Sequence, residues 1–430
     1  MDPAPVIHRH RTAIRRAGLS APVATTLREG LFSSGRTFLD YGCGHGQDVA
    51  ILRGQGIDCS GWDPEFQPDT KLVDADIVNL GYVINVIENP AERASVVRRA
   101  WTLARDLLVV SAQVDSPPPE HVARPFVDGV LTTRDTFQKY FTQSELRVYL
   151  EDAVGVPAIA AAPGIFYLFK DETAKEDYLA RRHRRANSVP KLRLSEARLE
   201  QNRALIESFI ETIAQLGRLP DTSEFAQASE LEGVFGSLRR AFAFVTRMIG
   251  SDAWTGIAAT RSEDLLVYLA LSRFGRRPAF NVLPASVQLD VKSFFGTYRR
   301  ACALADDLLF TVGDLGKIDD ACAQSSIGHL VDNALLVKRR DLTMISPLLR
   351  VYEGCARALC GEVEGCEIVK LHRYSGKVTY LALHEHEPTD RPRTATRVKV
   401  TLPTLGVDVF TYPDDESTPT FEFGEQLLAF

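Results

Sequence analysis

Residues 37–47, T-F-L-D-Y-G-C-G-H-G-Q, hold the most chemically suggestive spacing in the chain. Gly42, Gly44 and Gly46 recur at every second position, two residues after Asp40 and just before the helix-like run Asp48–Leu52. Glycines permit positive φ and let the backbone approach a ligand closely. A helix N-terminus offers unpaired N–H groups and partial positive charge to a carboxylate or phosphate. Phe38, Leu39 and Tyr41 read as the end of a buried strand, with Asp40 near its C-terminal end. Strand, glycine turn and helix start together make a ligand cradle. A second acid, Asp63 in S-G-W-D-P, follows a short apolar strand candidate around residues 57–62. It lies about 20 residues on, the offset at which an acid meets ribose hydroxyls. A glycine-rich turn without a ligand and a site for NAD or another nucleotide are the alternatives.

The dinucleotide fingerprint is G-x-G-x-x-G, whereas this loop is G-x-G-x-G with an acid two residues upstream. That pattern resembles motif I of the class I S-adenosylmethionine-dependent methyltransferases. The resemblance implies S-adenosyl-L-methionine as cofactor, with Asp40, Gly42, Cys43, Gly44, Gly46 and Asp63 as its binding residues. Asp40 would receive the ammonium side, directly or through water, while loop N–H groups meet the rest and Asp63 takes the ribose. The interval from Asp63 to Asp76 is shorter than the helix and strand a full class I domain carries there. Asp74 or Asp76 is left as the candidate toward adenine. Cys43 is read as a small neutral loop residue, not a nucleophile.

The elements that must position these residues follow from pattern. Ile77–Leu80 and Leu107–Ala112 are continuous apolar runs and read as buried parallel strands. A helix is predicted to start in the apolar run after Leu80, and a second to span about 91–105. A further helix spans about 143–152, with Thr142 as N-cap. Val156–Ala160 and Ile165–Phe169 suit an antiparallel terminal pair. Strands alternating with helices predict an α/β, Rossmann-like class I methyltransferase domain over 1–172. Ligands in such sheets sit at the carboxyl ends of strands. Near the start, Ser20 is the expected cap of a helix ending around Gly30, and the basic R-H-R segment before it is read as a solvated arm or a cover for the cofactor. Residues 173–194 read as a basic linker, in which Arg181-Arg-His-Arg-Arg, Lys191 and Arg193 suit nucleic-acid phosphates or a solvated helix face. Residues 195–349 read as helical, with a helix starting at Ser262 and another over 287–310. Their aromatics, among them Tyr268, Phe274 and Phe295, are expected in the core. Residues 350–430 alternate apolar and polar and predict an α+β region.

Composition narrows the class. At 430 residues the chain can bury a large core. Its net charge of −6 argues against a surface coated for non-specific DNA binding but allows a local basic patch. No stretch reaches the roughly 18–20 apolar residues of a membrane helix, and the N-terminus lacks a signal-like apolar core. A cytoplasmic protein with no membrane partner is expected. Seven cysteines without C-x-x-C pairing, and H-E-H at 384–386 without helical zinc spacing, give no metal site.

L-D-Y-G-C-G-H-G-Q-D-V, G-W-D-P, A-D-I-V-N-L-G-Y-V-I-N-V-I-E-N-P-A-E-R and T-F-Q-K-Y-F-T-Q-S-E-L together resemble a bacterial family, the DNA phosphorothioation-associated methyltransferases. The resemblance covers about the first 170 residues, loosely continues in D-L-L-V-Y-L-A-L-S-R-F and is poor over the last 60 or so. It implies methyl transfer linked to DNA modification or defence, with DNA and proteins of a DNA sulfur-modification system as partners. DNA amino-methylating enzymes carry D/N-P-P-Y/F/W after the fourth strand, holding a flipped base. Here the matching stretch is Asn79-Leu-Gly-Tyr82, with both prolines absent. Asn79 and Tyr82, with Asn85, are the residues expected to position the acceptor. RNA or a small molecule as acceptor, and a non-catalytic S-adenosylmethionine-binding scaffold or sensor, remain open.

Overall fold

The computed structural model describes residues 7–32, 35–114, 122–185, 187, 202–384 and 393–413. Two compact units divide the chain, one of residues 1–171, 327–341 and 353–430, the other of residues 172–326 and 342–352.

The first unit opens on a six-stranded, mostly parallel sheet. Its strands are β1 (Phe38–Tyr41), β2 (Cys59–Trp62), β3 (Ala75–Gly81), β4 (Ala104–Ser111), β8 (Ile159–Ala162) and β9 (Ile165–Phe169). The order is β2-β1-β3-β4-β9-β8, with β9 antiparallel to β4. This is a Rossmann-like fold with the expected antiparallel terminal pair. No strand lies beyond β2, because the chain passes from Asp63 to β3 without a helix or strand. Leu39, Val78 and Leu108 on one face of the sheet and Phe38, Ile77 and Leu107 on the other are all buried, the pattern of strands covered on both faces. The helices α1 (Ala21–Arg28), α2 (Gln47–Gly54), α3 (Pro90–Leu103) and α4 (Gln143–Val154) connect and flank the strands. Thr142 and Glu145 close a capping box at the start of α4. Ser20 precedes α1 as expected but makes no side-chain cap bond.

One expected helix is absent. The apolar run after Gly81 forms turns, and the next helix begins only at Pro90, where Asn89 accepts from the N–H groups of Ala91 and Glu92. Tyr82 sits at φ 56, outside the helical region, so the run cannot start a helix at the strand end. Short strands β5 (Val122–Phe126), β6 (Gly129–Thr132) and β7 (Phe137–Gln138), none of them predicted, form a small antiparallel sheet.

A second six-stranded sheet, fully antiparallel, runs β10 (His329–Val331), β11 (Ala334–Lys338), β12 (Cys366–His372), β13 (Lys377–Leu383), β14 (Thr394–Thr401) and β15 (Gly406–Thr411). The alternating C-terminal runs are its β12 to β14, while β10 and β11 come from the stretch read as helical. This part packs on the first sheet: Glu362 N–H donates to Ala161 O at 2.7 Å. A Cβ on Gly361 would lie 2.4 Å from Ala162 N.

The second unit is helical. Ser251–Leu271 is one helix, so Ser262 lies inside it, its hydroxyl donating to Ala259 O, rather than capping its start. The segment read as one helix over 287–310 is two, Ala285–Phe295 and Tyr298–Thr311, parted at Gly296 with φ 74. Tyr268 and Phe295 are buried, whereas Phe274 is 39 % exposed. Glu172–Arg182, expected as linker, is a helix. Its basic run is consumed within the unit: Arg181 pairs with Asp177, Arg184 with Asp290, and Arg185 with Glu263 and Asp264. Arg182 lies over the Tyr178 ring. Lys191, Arg193 and His386 lie outside the described residues. Among the described residues no helix is long and apolar enough to cross a membrane.

Candidate functional site

The glycine loop leaves β1 at its carboxyl end. Gly42, Gly44 and Gly46 have φ of 86, 52 and 76, the left-handed region that favours glycine. Packing adds a second demand: a Cβ on Gly42 would lie 2.4 Å from Val83 Cγ2. The loop amides, expected to meet a ligand, are largely turned inward. Gly42 and Cys43 N–H donate to Trp62 O at 2.7 and 3.1 Å, Gly44 N–H to Asp63 Oδ2 at 3.0 Å, and Gly46 N–H to Cys43 O at 2.9 Å. They tie the loop to the end of β2 and to itself. The anion-seeking donors at this edge are therefore the first turn of α2, whose N-cap Gly46 supplies no side chain.

The acids separate by position. Asp63 stands just past β2. Its Oδ2 accepts from Gly44, and its Oδ1 accepts from the N–H groups of Glu65 and Phe66 at 2.9 and 3.0 Å. A carboxylate offers about four lone-pair sites, so one further donor can be received. The turn this makes brings Phe66 to 4.3 Å from the His45 ring, in the place of the missing helix and strand. Asp40 is buried, and Asn79 Nδ2 donates to its Oδ1 at 2.8 Å. Burial pushes the Asp40 carboxyl up to about 7, against the opposing pull of the Asn79 hydrogen bond. It lies behind the cavity wall rather than on it. Asp76 is placed at the wrong end. It opens β3, where Thr37 N and Oγ1 donate to its Oδ2 at 2.8 and 2.9 Å. Because β3 runs parallel to β1, a residue at its start faces the amino edge of the sheet. Neither Asp74 nor Asp76 reaches the cavity.

The cavity itself is about 650 Å³, within the range of small-molecule sites. The glycine loop, Trp62 to Phe66, Tyr82 and Val83, and the N-terminal stretch around Arg9 to Arg16 line it. Burial, helped by the charges of Asp40 and Asp63, raises the Cys43 thiol to about 12, so it is no nucleophile at neutral pH.

The N-terminal segment thus lines the cavity. Arg9 holds it down through Glu88 and Glu92, and Arg16 N–H donates to Gln47 Oε1 at 2.6 Å. The Arg16 guanidinium lies 5.9 Å from the Tyr82 ring centre. Of the residues expected to hold an acceptor, Tyr82 reaches the cavity and Asn79 does not, being turned to Asp40. Tyr82 N–H is shared between Ser111 O and Oγ at 3.0 and 3.1 Å, which holds its left-handed φ of 56. Strained non-glycine backbone of this sort gathers at functional sites.

No protein-family model matches the chain, and no curated protein does. Solved structures align with part of it. The 1,6-didemethyltoxoflavin N1-methyltransferase of Burkholderia thailandensis, with bound 1,6-didemethyltoxoflavin and S-adenosylhomocysteine, is 18% identical over 35% of this chain and 76% of its own, with a TM-score of 0.26. The magnesium protoporphyrin IX methyltransferase of Synechocystis with bound S-adenosylmethionine gives 17% identity over 35% and 76%, with a TM-score of 0.25. A sugar N-methyltransferase from Streptoalloteichus gives 16% over 39% and 94%, with a TM-score of 0.29. Likeness of this degree leaves substrate and reaction to the site itself. There, His45, Gln47, Phe66 and Val83 were not foreseen. His45 and Gln47 had no signal beyond standing next to a recognised glycine, and Phe66 none beyond lying three residues after Asp63. Val83 lay in a run whose hydrophobicity suggested a helix.

Proposed function

We propose that residues 7–171 bind S-adenosyl-L-methionine and transfer its methyl group to an acceptor. The observation that carries this reading is the hydrogen bond from Gly44 to Asp63, which joins a left-handed glycine loop and a ribose-type acid at the carboxyl ends of adjacent parallel strands on one cavity. The residues fit the cofactor's parts. The first turn of α2 suits its carboxylate, and Asp63 keeps a lone pair for a ribose hydroxyl. Phe66, His45 and Trp62 offer an aromatic and apolar wall to adenine in the place of the missing strand unit. Asp40, behind the loop and raised to about 7 by burial, would be drawn to its charged form by a nearby ammonium without touching it. When bound, the sulfonium supplies an electrophilic methyl group: the acceptor's lone pair forms the new bond, the carbon–sulfur electrons return to sulfur as a neutral thioether, and the acceptor's proton goes to water or a base. This chain's residues contribute alignment and exclusion of water, which can supply much of such a rate. Arg9 to Arg16 cover the site, and Val83, Val86 and Ile87 keep its wall apolar. Structures bound to S-adenosylmethionine or its product among the similar folds support the cofactor.

The resemblance over the first 170 residues adds DNA and proteins of a DNA sulfur-modification system as proposed partners. Asn79 gives its Nδ2 to Asp40 and lines neither cavity, while its Oδ1, the atom that would accept from a flipped base's amine, has no partner. Calorimetric titration with S-adenosylmethionine and with NAD, on wild type and Asp63→Ala, tests the cofactor. Binding of S-adenosylmethionine alone, weakened at least tenfold by the substitution, is the expected result, and NAD binding or no binding overturns it. Labelled-methyl transfer to DNA, RNA and small metabolites then separates the acceptors. Cofactor binding with no transfer to any of them makes the protein a sensor.

A further inference from the structure

A second cavity of about 350 Å³ adjoins the first and shares Tyr82, Thr12, Ile14, Arg16 and Val86 with it. Its remaining polar lining is Ser20, Asn85, Gln113 and Gln138. Two of these are buried and short of partners: Ser20 Oγ and Asn85 Oδ1 have no hydrogen-bond partner, on residues 4 % and 2 % exposed. Asn85 Nδ2 donates to Gln138 Oε1 at 2.9 Å, so this amide is fixed and its oxygen is committed to no protein donor. Leaving a buried acceptor unpaired is costly, and such groups are explained by a ligand, water or ion. Among the described residues Arg16 is the one charged side chain on this cavity.

We propose that this second cavity is the acceptor site, and that it takes an uncharged small molecule rich in N–H or O–H donors, such as a nitrogen heterocycle or a polyol. The inference rests on the cofactor reading above. A carboxylate or phosphate buried here would meet a single arginine, and a cation would meet no carboxylate. Either would stay an uncompensated charge, whereas a neutral donor-bearing molecule satisfies the amides and hydroxyls at no such cost. Tyr82 stands on the wall common to both cavities. Its left-handed backbone fixes the border at which a methyl group would pass from one to the other.

The test is calorimetry on the full chain saturated with S-adenosylhomocysteine, so that no turnover occurs. The probes are cytosine, hypoxanthine and methyl glucoside as neutral molecules, benzoate and spermidine as charged ones, and a single-stranded oligonucleotide. Binding of a neutral probe is expected, weakened at least tenfold by Gln113→Leu and Asn85→Leu, with affinity for S-adenosylhomocysteine changed less than twofold. That second readout reports an intact fold; if Asn85→Leu loses it, Gln113→Leu decides. Binding only of charged probes or the oligonucleotide, no binding of a neutral probe, or neutral binding indifferent to the substitutions overturns the proposal. If S-adenosylhomocysteine itself fails to bind wild type, the cofactor reading falls and this one with it. If it binds and the neutral probes do not, the acceptor assignment alone is wrong.

Discussion

Gly42 is under two constraints at once, a φ of 86 and a neighbour, Val83, that a Cβ would strike at 2.4 Å. Gly56 isolates the first of these, with φ 82 and nothing within 4 Å. Gly56→Ala is expected to cost about 1–2 kcal/mol of stability through its backbone alone, with cofactor affinity unchanged. Gly42→Ala adds displacement of Val83 from the cavity wall and should weaken cofactor binding at least tenfold; denaturation midpoints and calorimetry read the two effects separately. Asp40 gives a pH signature. Its folded value of about 7 lies above that of an unfolded aspartate, about 3.9. The folded state therefore holds this proton more tightly, and the contribution to stability falls as pH rises from about 4 to 7. Asp40→Asn should flatten that decline and be relatively more stable at pH 8 than at pH 4, which urea midpoints at the two pH values will show.

The N-terminal segment shows how an element outside the sheet completes the site. Arg9, 36 % exposed, reaches Glu88 at 2.8 Å and Glu92 at 2.5 Å. Exposed pairs of this sort are worth about 0.2–1 kcal/mol each. Arg9→Ala should then lower the melting temperature by no more than about 4 °C while weakening the cofactor severalfold through faster release. High salt should reproduce the weakening in wild type and add little in the variant, a comparison that stopped-flow release rates can make. Element types were readable where one physical rule acted alone. β4 is a continuous apolar run and α4 carries a capping box, and both stand where expected. The run after Gly81 obeyed two rules, hydrophobic enough for a helix but opened by a left-handed Tyr82, and the backbone decided.

At the scale of the whole chain, the helical unit depends on buried ion pairs more than on any feature of the cofactor site. Asp264 receives Arg185 and Arg350 on Oδ1 and lies 3.4 Å from Arg261 through Oδ2. Removing one partner of a buried pair strands the others and costs about 3–5 kcal/mol. Asp264→Ala should lower the unfolding transition of residues 172–326 in a calorimetric scan, with S-adenosylmethionine affinity at 20 °C unaltered. Loss of cofactor binding in that variant would contradict a site built wholly from the first unit.

The amino-acid sequence by itself determined the alternation of strands and helices in the first 171 residues, the left-handed loop and an acid at the end of the next strand. Each of these follows from rules that act within a few residues: hydrophobic period, the freedom of glycine, and a fixed offset between acids. Only the tertiary structure decided which groups face the cavity. Asp76 fell at the far edge because strand direction, not spacing, sets which end of β3 meets the loop. Asn79 was turned to Asp40, since a buried carboxyl in a neighbouring strand draws its Nδ2, while its Oδ1 stays without a partner. The loop amides turned inward for the same reason. Arg181 to Arg185 showed five basic-type residues in a row, but Arg184 and Arg185 meet acids about 80–100 residues away in sequence, a neutralisation no local pattern can announce.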